Sequence, residues 1–542
     1  MFRISKRSAT TRILNRLRLM WPRADRWSGL VALAITGGVL VRFFYAYPPH
    51  VFPVDSDAIL TGWRALSLLQ GKLVTFYSSM RLGALECYVD AALFAVFGVS
   101  RGILGVAPFL WGSLQICVFF LLARRIFSRP TAALSTVFMA FPSSLYLLWA
   151  YLPIGYGLIM LLGTSTLWLA AVASDESPRK CAGFVLGLTA GLALWTSLQT
   201  LAFIVPAAVF ASLRLRSPRR WADLARVAIP GLLIGALPWL VANIRYPLGS
   251  FQDPIIRSPV ATLGAAAANL EKAAVQIIPD LIAQRTDELP RLSVAVGPAL
   301  KAPVRVLHVL ALVWVLGVFL AGGRRPRRME GIEGFGVEAG VLVVGVAGVS
   351  LLQFCAVAPA LHGFTHRYLL PLYLAVPFML GVFVDSVRRR RAILASVVVG
   401  ILVLFNVTSY LWPFSSVRPA FRQLAIDQRT MIRSLEQAGV SVVTGDYWDV
   451  NALNFVAHGS LAALPVPAPG IPNVPALPVG AFRVALVTRD RARLNRWLAP
   501  CDLPGDVNSP SPGYWVFTPR DQPDTHDEGV ALLERLRSLI TP

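Results

Sequence analysis

The sequence predicts an α-helical polytopic membrane protein with about eleven transmembrane helices, followed by a small C-terminal α/β domain. Three observations carry this. Of the 542 residues, 55% are hydrophobic and only 15% are charged, against roughly 25% in soluble domains. Apolar runs near the ~20-residue length that crosses a bilayer recur along the chain. The basic residues form clusters that alternate with those runs. The net charge of +22 is nearly all arginine and is read as the basic loops of a membrane protein, so no nucleic-acid partner is expected. Five cysteines without a CxxC or a His/Cys cluster give no zinc or redox motif, and His50, His308, His362, His458 and His526 show no ligand spacing.

The chain opens on a basic stretch, residues 1–27, with Arg3, Lys6, Arg7, Arg12, Arg16, Arg18, Arg23 and Arg26. An apolar run follows with no small-residue cleavage site, which reads as an uncleaved first span with its N-terminus cytoplasmic. Residues 28–412 form the membrane part. Candidate spans are about 28–46, 103–123, 131–150, 154–173, 183–197, 199–213, 225–242, 305–321, 336–358, 367–386 and 392–412. The pieces near 183–213 are short enough to be two helices or one bent unit.

Counting from inside, the cytoplasmic loops hold Arg124, Arg125 and Arg129; Arg179 and Lys180; Arg214, Arg216, Arg219 and Arg220; Arg324, Arg325, Arg327 and Arg328; and Arg388 to Arg391. The short loops of the other side, near Tyr151–Tyr156 and Thr196–Thr200, have no basic residue. A count wrong by one would break this alternation downstream. It makes residues 47–102 a long external loop, 243–304 a second with a helical pattern in "ATLGAAAANLEKAAVQIIPDLIAQ", and 413–542 an external domain. In that domain a helical pattern over 419–438, strands at "VSVVTGD" and "FRVALVT", and helices at "DRARLNRWL" and "EGVALLERLRSLI" flank a Pro-rich connector, 464–480. No phosphate loop and no GxGxxG in a strand–turn–helix setting accompanies them, so an ATP-driven motor is not expected.

The first external loop carries the chemistry. "PVDSDAILTGWRALSLLQGK" (53–72) holds Asp55 and Asp57 before a helical pattern. At 100° per residue Ile59, Trp63 and Leu66 form an apolar stripe and Asp57, Thr61 and Arg64 the opposite face, as in a helix lying flat at the interface. A plain N-cap explains one Asp at such a place. The sequel adds more: "LGALECYVDAALFAVFGVS" (82–100) places Glu86 and Asp90 at i and i+4, and carboxylates this close to hydrocarbon are costly and tend to be functional.

These two stretches, in this order, resemble the first external loop of GT-C membrane glycosyltransferases, with the protein-mannosyltransferase-like group and its bacterial members as the nearest pattern. The resemblance continues through "GLALWTSLQTLAFIVP" (191–206), "GLLIGALPWLVANIRYPLGS" (231–250), "HRYLLPLY" (366–373) and "GDYWDVNALNFVAHG" (445–459), and so covers most of the chain. It implies a GT-C-like fold in a bacterial inner membrane. The implied reaction moves a sugar from a polyprenyl-phosphate donor, with inversion, to a glycan, lipid or protein acceptor on the external or periplasmic face. One carboxylate acts as general base on the acceptor hydroxyl and cations hold the leaving lipid phosphate.

Carried onto this chain, the base is Asp57 or, second, Asp55; the family has Asp-Glu side by side, whereas here Ser56 separates two Asp. Glu86 matches the acidic position of the second run and would position acceptor or metal. Arg64 lies on the polar face of the loop helix, and Arg245, His366 and Arg367 fall to the lipid phosphate, with interfacial snorkelling as the plainer reading. Tyr447 and Trp448 match the family's Tyr-Trp pair and would face sugar or acceptor, unless they pack the tail's own core. No cofactor is required; the pair Asp55/Asp57 suits a divalent metal. A transporter or flippase of lipid-linked glycan is the alternative. It is disfavoured by the lack of an internal repeat and by carboxylates gathered in a loop, not within spans. A non-catalytic scaffold would have no use for Asp57.

Overall fold

The computed structural model describes residues 26–46, 59–76, 82–175, 180–247, 249–251, 263–283, 297–322, 337–356, 365–412, 418–450, 452–457, 460–466, 477–500, 503–511 and 513–540. Asp55 and Asp57 lie outside the described residues. In chain order the membrane part contains α1 (Arg26–Ala46), α2 (Leu60–Leu69), α3 (Leu85–Phe97), α4 (Arg101–Leu104), α5 (Val106–Ile126), α6 (Arg129–Ala140), α7 (Ser144–Tyr151), α8 (Tyr156–Ala173), α9 (Lys180–Thr196), α10 (Leu201–Leu215), α11 (Pro218–Gly235), α12 (Leu237–Arg245), α13 (Leu263–Lys272), α14 (Ile278–Ala283), α15 (Gly297–Gly322), α16 (Val337–Ala356), α17 (Leu370–Tyr373), α18 (Ala375–Arg390) and α19 (Ala392–Trp412).

Among the described residues, six helical segments are long and apolar enough to cross a bilayer. Three bent pairs pass as broken spans, and two shorter apolar helices lie at Cys181–Thr196 and Ala302–Gly317. The eleven predicted segments fall on these one for one. The protein is a polytopic integral membrane protein. Helix α8 is central, with 78% of its span buried inside the protein, the largest share of any of the six. The segments near 183–213 are two helices joined by a 3-10 turn, Leu198–Thr200; α9 packs on α11 and α10 on α16. Glycines set the α9–α11 approach: a Cβ on Gly187 would run into the Ala228 carbonyl, the close backbone contact that small residues allow between membrane helices.

The bends were not predicted. Helices α6 and α7 meet at 69°, α11 and α12 at 62°, and His366–Tyr373 meets α18 at 41°. Pro142 and Pro238 sit at the first two breaks and Pro377 follows the third by one turn, and a missing N–H and a ring clash there end the preceding turn.

The loops sort to two ends of the bundle. At one end Arg125 and Arg214 (3.3 Å) share Asp175, Arg388 (2.8 Å) and Arg389 (3.2 Å) share Asp385, and Arg26 and Arg388 lie over the Trp27 ring. At the opposite end the first loop meets the turns at 152–155 and 196–200 and the C-terminal domain, and α14 meets the turn at 365–369. Among the described residues Arg125, Arg214, Arg388 and Arg389 thus share an end, as the charge alternation requires.

The C-terminal domain contains α20 (Arg418–Gln437), β1 (Val440–Asp446), α21 (Tyr447–Val450), α22 (Leu453–Val456), β2 (Ala462–Val466), β3 (Arg483–Thr488), α23 (Arg491–Leu498), β4 (Gly505–Ser511), β5 (Tyr514–Pro519) and α24 (His526–Ile540). The sheet order is β2-β1-β3-β5-β4; β1 pairs parallel with β2 and β3, while β5 pairs antiparallel with β3 and β4. One core lies between the sheet and α20, around Met431, Leu435 and Val443; the other lies under α23 and α24, around Leu494, Leu533 and Leu536. Three strands escaped the sequence reading. The Pro-rich connector expected from 464 begins inside β2, which tolerates Pro465 because it is an edge strand; β4, the other edge, carries Pro510 and is mostly exposed, so it shows no apolar alternation.

Candidate functional site

The first loop folds as two short helices laid together. From α2 come Thr61 and Arg64, one turn apart; from α3 come Glu86, Cys87 and Asp90. Thr61, Arg64 and Asp90 are 0% exposed and Glu86 is 1% exposed. This corrects the picture of α2 as a helix with a free polar face. That face is turned inward onto α3, and Ile59 on the other face is covered by the C-terminal domain. Glu86 occupies the first turn of α3, where a carboxylate is favoured.

The electrostatics follow from burial. Burial pushes the Glu86 carboxyl well above the usual range, opposed by the Gly155 N–H and the Trp111 indole N–H that face it. Neither Glu86 oxygen and neither Asp90 oxygen meets full hydrogen-bond geometry with a partner. Burial also raises Asp90, and repulsion from Glu86 adds to it. The Cys87 thiol is raised by burial and by both carboxyls; it is a free thiol. Burial lowers the Arg64 guanidinium, which lies 5.0 Å over the Trp63 ring. Paired buried carboxyls whose pKa values are pushed up, Glu86 to about 8, are a frequent property of functional sites.

A second cluster holds two of the three predicted phosphate ligands, His366 and Arg367. His366, 3% exposed, stands 3.6 Å from Asp280, which also lies 3.6 Å from Arg305 on α15. Arg367 sits between aromatic rings, 5.7 Å from the Trp149 centroid and 5.3 Å from that of Tyr368, a setting suited to a planar guanidinium. Two turns join the clusters. In the first, Thr61 Oγ1 donates to the Pro153 carbonyl at 2.8 Å, Gly155 faces Glu86, and Trp149 and Tyr156 meet edge to face at 6.3 Å. In the second, the Gly83 N–H donates to the Thr196 carbonyl at 3.0 Å, and the Gln199 amide donates to the Arg367 carbonyl at 3.2 Å.

The other predicted residues spread out. Arg245 is exposed at the end of α12 above the Tyr246 ring, and among the described residues no contact joins it to either cluster. Tyr447 is half-buried on α21, at the carboxyl end of β1; the side chain of Trp448 lies outside the described residues. Neighbouring Asp449 is a strut, accepting from Arg489 Nε at 2.7 Å and Thr488 Oγ1 at 2.8 Å. The C-terminal domain reaches the first loop directly: Phe455 lies 5.9 Å from Phe94 and against Gly62, and Arg101 donates to Gln428 at 2.6 Å. Among the described residues no group of three or more His, Cys, Asp or Glu side chains is arranged to hold a metal ion. Sequence reasoning missed Trp149, Asp280 and Arg305, which reach the site through distant pairings; Asp90 and Thr61 were visible by helical spacing.

No protein-family model and no curated protein sequence matches the chain. Solved structures do. ArnT from Cupriavidus metallidurans bound to undecaprenyl phosphate superimposes with a TM-score of 0.60 at 13% identity, over 90% of this chain and 98% of that one. The apo form of ArnT gives 0.51 at 15% identity, over 96% and 100%. The chain has the GT-C fold. Within this fold the first-loop helices, and with them the first cluster, lie between the bundle and the C-terminal domain.

Proposed function

We propose that this protein is an inverting glycosyltransferase that moves a sugar from a polyprenyl-phosphate donor to a glycan, lipid or protein acceptor, on the external face of a bacterial inner membrane. The observation that carries the reading is the buried Thr61–Arg64–Glu86–Asp90 cluster, joined through the 152–155 turn to Arg367 and Trp149, on a fold shared with a protein crystallised with undecaprenyl phosphate.

In this mechanism Asp57, or else Asp55, takes the proton of the acceptor hydroxyl. The acceptor oxygen bonds to the anomeric carbon as the bond to the lipid phosphate oxygen breaks on the opposite face, so configuration inverts. Arg367 and His366 receive the phosphate; Arg is suited by permanent charge and bidentate geometry. Protonated Glu86 holds the acceptor by hydrogen bonding, and Arg64 balances the charge of the carboxylate that ionises. Arg245, exposed beside the membrane part, meets the donor lipid before it enters. Tyr447 and Trp448 face the acceptor. A divalent metal at Asp55/Asp57 is optional in this scheme, because the donor carries a single phosphate.

The transporter or flippase alternative gains something from the three bent spans, since broken helices line many transport sites. The experiment that separates them supplies purified protein in detergent with radiolabelled polyprenyl-phosphate sugars and candidate acceptors. Transfer of label is the expected result. Absence of transfer with every such donor, together with movement of labelled lipid between leaflets in reconstituted vesicles, would favour the transporter.

A further inference from the structure

The break between α6 and α7 lies at 139–143, "MAFPS", inside the bundle. A bend of 69° there strips the last α6 carbonyls of their helical partners. The carbonyls of residues 139–142 and the N–H of Ser143 are met by side chains from other elements. Arg42 of α1, 1% exposed, donates from Nη2 to the Met139 carbonyl at 3.1 Å and from Nη1 to the Ala140 carbonyl at 2.7 Å. Asn406 of α19 donates to the Phe141 carbonyl at 2.8 Å, and the Tyr410 hydroxyl donates to the Pro142 carbonyl. The Ser143 N–H donates to the Tyr373 hydroxyl at 2.8 Å, and Ser143 Oγ caps α7 by accepting from the Tyr146 N–H. Irregular backbone at membrane depth persists only when it is satisfied in this way. A buried arginine in a span is costly unless it has a use.

The use is visible at the other end of α7. That helix carries Trp149, which lies under Arg367, and runs into the turn whose Pro153 carbonyl receives Thr61 and whose Gly155 faces Glu86. Eight helical residues make a lever of about 12 Å. A change of about 5° at the break moves the turn by about 1 Å, a displacement able to cost about 100-fold in rate.

We propose that Arg42 is a positioning residue for sugar transfer: by fixing the Met139 and Ala140 carbonyls it sets the angle of α7 and so aims Trp149 and the 152–155 turn at the reacting groups. The inference rests on the proposed glycosyl transfer, but its geometric half can be read without activity. Hydrogen exchange and steady-state kinetics would be measured on the full chain for Arg42→Gln, Arg42→Lys, Asn406→Ala, Thr61→Val and the Arg42→Gln/Thr61→Val double variant. For Arg42→Gln the expected result, well below its melting temperature, is kcat down 10- to 100-fold with donor KM changed less than about threefold. Exchange should be faster across 144–156 but unchanged in the rest of α8. Arg42→Lys should recover part of the rate, and the double variant should lose less than the product of the single losses, because both ends hold one lever. If Arg42→Gln does not fold, Asn406→Ala carries the same expectations at smaller size. Wild-type kinetics and wild-type exchange at 144–156 in a folded variant would overturn the proposal. An inactive wild type with raised exchange in the variant would instead count against glycosyl transfer and leave the lever standing.

Discussion

Truncating Phe455 tests the cover over the first loop. Its ring is 1% exposed, yet it belongs to neither core of the C-terminal domain. It packs with Ile59, Ala65, Ala91, Phe94 and Leu104 of the loop, and a Cβ on Gly62 would come within 2.7 Å of it. Burying a Phe and then removing it costs about 3–5 kcal/mol in a packed core. We take the lower end, about 3 kcal/mol, because the seam joins two separately folded parts and can part without unfolding either. The Arg101–Gln428 hydrogen bond, about 1.5–3 kcal/mol for a charged donor, remains. Phe455→Ala should therefore shift the covered–uncovered equilibrium of α2 about 100-fold without unfolding the sheet. Hydrogen exchange of the 60–69 peptide reads this directly and should rise by about that factor, while peptides from β1 and β3 keep their protection. Sugar transfer should fall in parallel, since Thr61 and Arg64 lie on that helix. Gly62→Leu should act the same way from the loop side by overpacking, at about 1–3 kcal/mol. Unchanged exchange at 60–69 in both variants would refute the reasoning.

Further expectations follow from the same geometry. Glu86 and Asp90 hold protons in the folded state at pH values where the unfolded chain has released them. The stability they add is thus full below the ordinary carboxyl pKa of about 4 and is lost as pH climbs through their raised values. Melting temperature in detergent should fall between about pH 5 and about pH 9, and Asp90→Asn should flatten the fall. Arg367→Lys loses the planar stack on Trp149 and Tyr368 and should raise donor KM about tenfold with kcat little changed. Gly187→Leu drives a side chain into the Ala228 carbonyl of α11, which cannot give way, and should lower the melting temperature by about 10 °C or prevent folding, as read in a detergent melting curve. A tag placed after Pro413 should be accessible to an impermeant label on intact cells; labelling only after lysis would overturn the assigned orientation.

Much of the fold was legible because hydrophobic length and arginine placement are local signals. Each span announces itself, and Arg125, Arg214 and Arg388 gather at one end as their spacing requires. What was not legible depends on distant partners. Arg42 looks like an ordinary flank of the first apolar run; only the Met139 and Ala140 carbonyls, far along the chain, give it a purpose. Thr61 and Arg64 read as a polar surface because helical periodicity separates faces but does not say what covers each one. Here α3 covers one face and Phe455 the other. Edge strands β2 and β4 failed for the opposite reason: partly unpaired, they tolerate the prolines and polar residues that mark loops. Of the candidate site, Glu86, Arg64, His366 and Arg367 fall in the joined clusters, whereas Arg245 stands apart.

The central claim is that this fold transfers a sugar by way of a first-loop carboxylate. The direct measurement is sugar transfer from a radiolabelled polyprenyl-phosphate donor by wild-type protein, Asp57→Asn and Asp55→Asn, with folding checked by melting temperature. The account predicts transfer by the wild type and a loss of at least about 100-fold in one of the two variants, the size expected for removal of a general base. Transfer undiminished in both would contradict it.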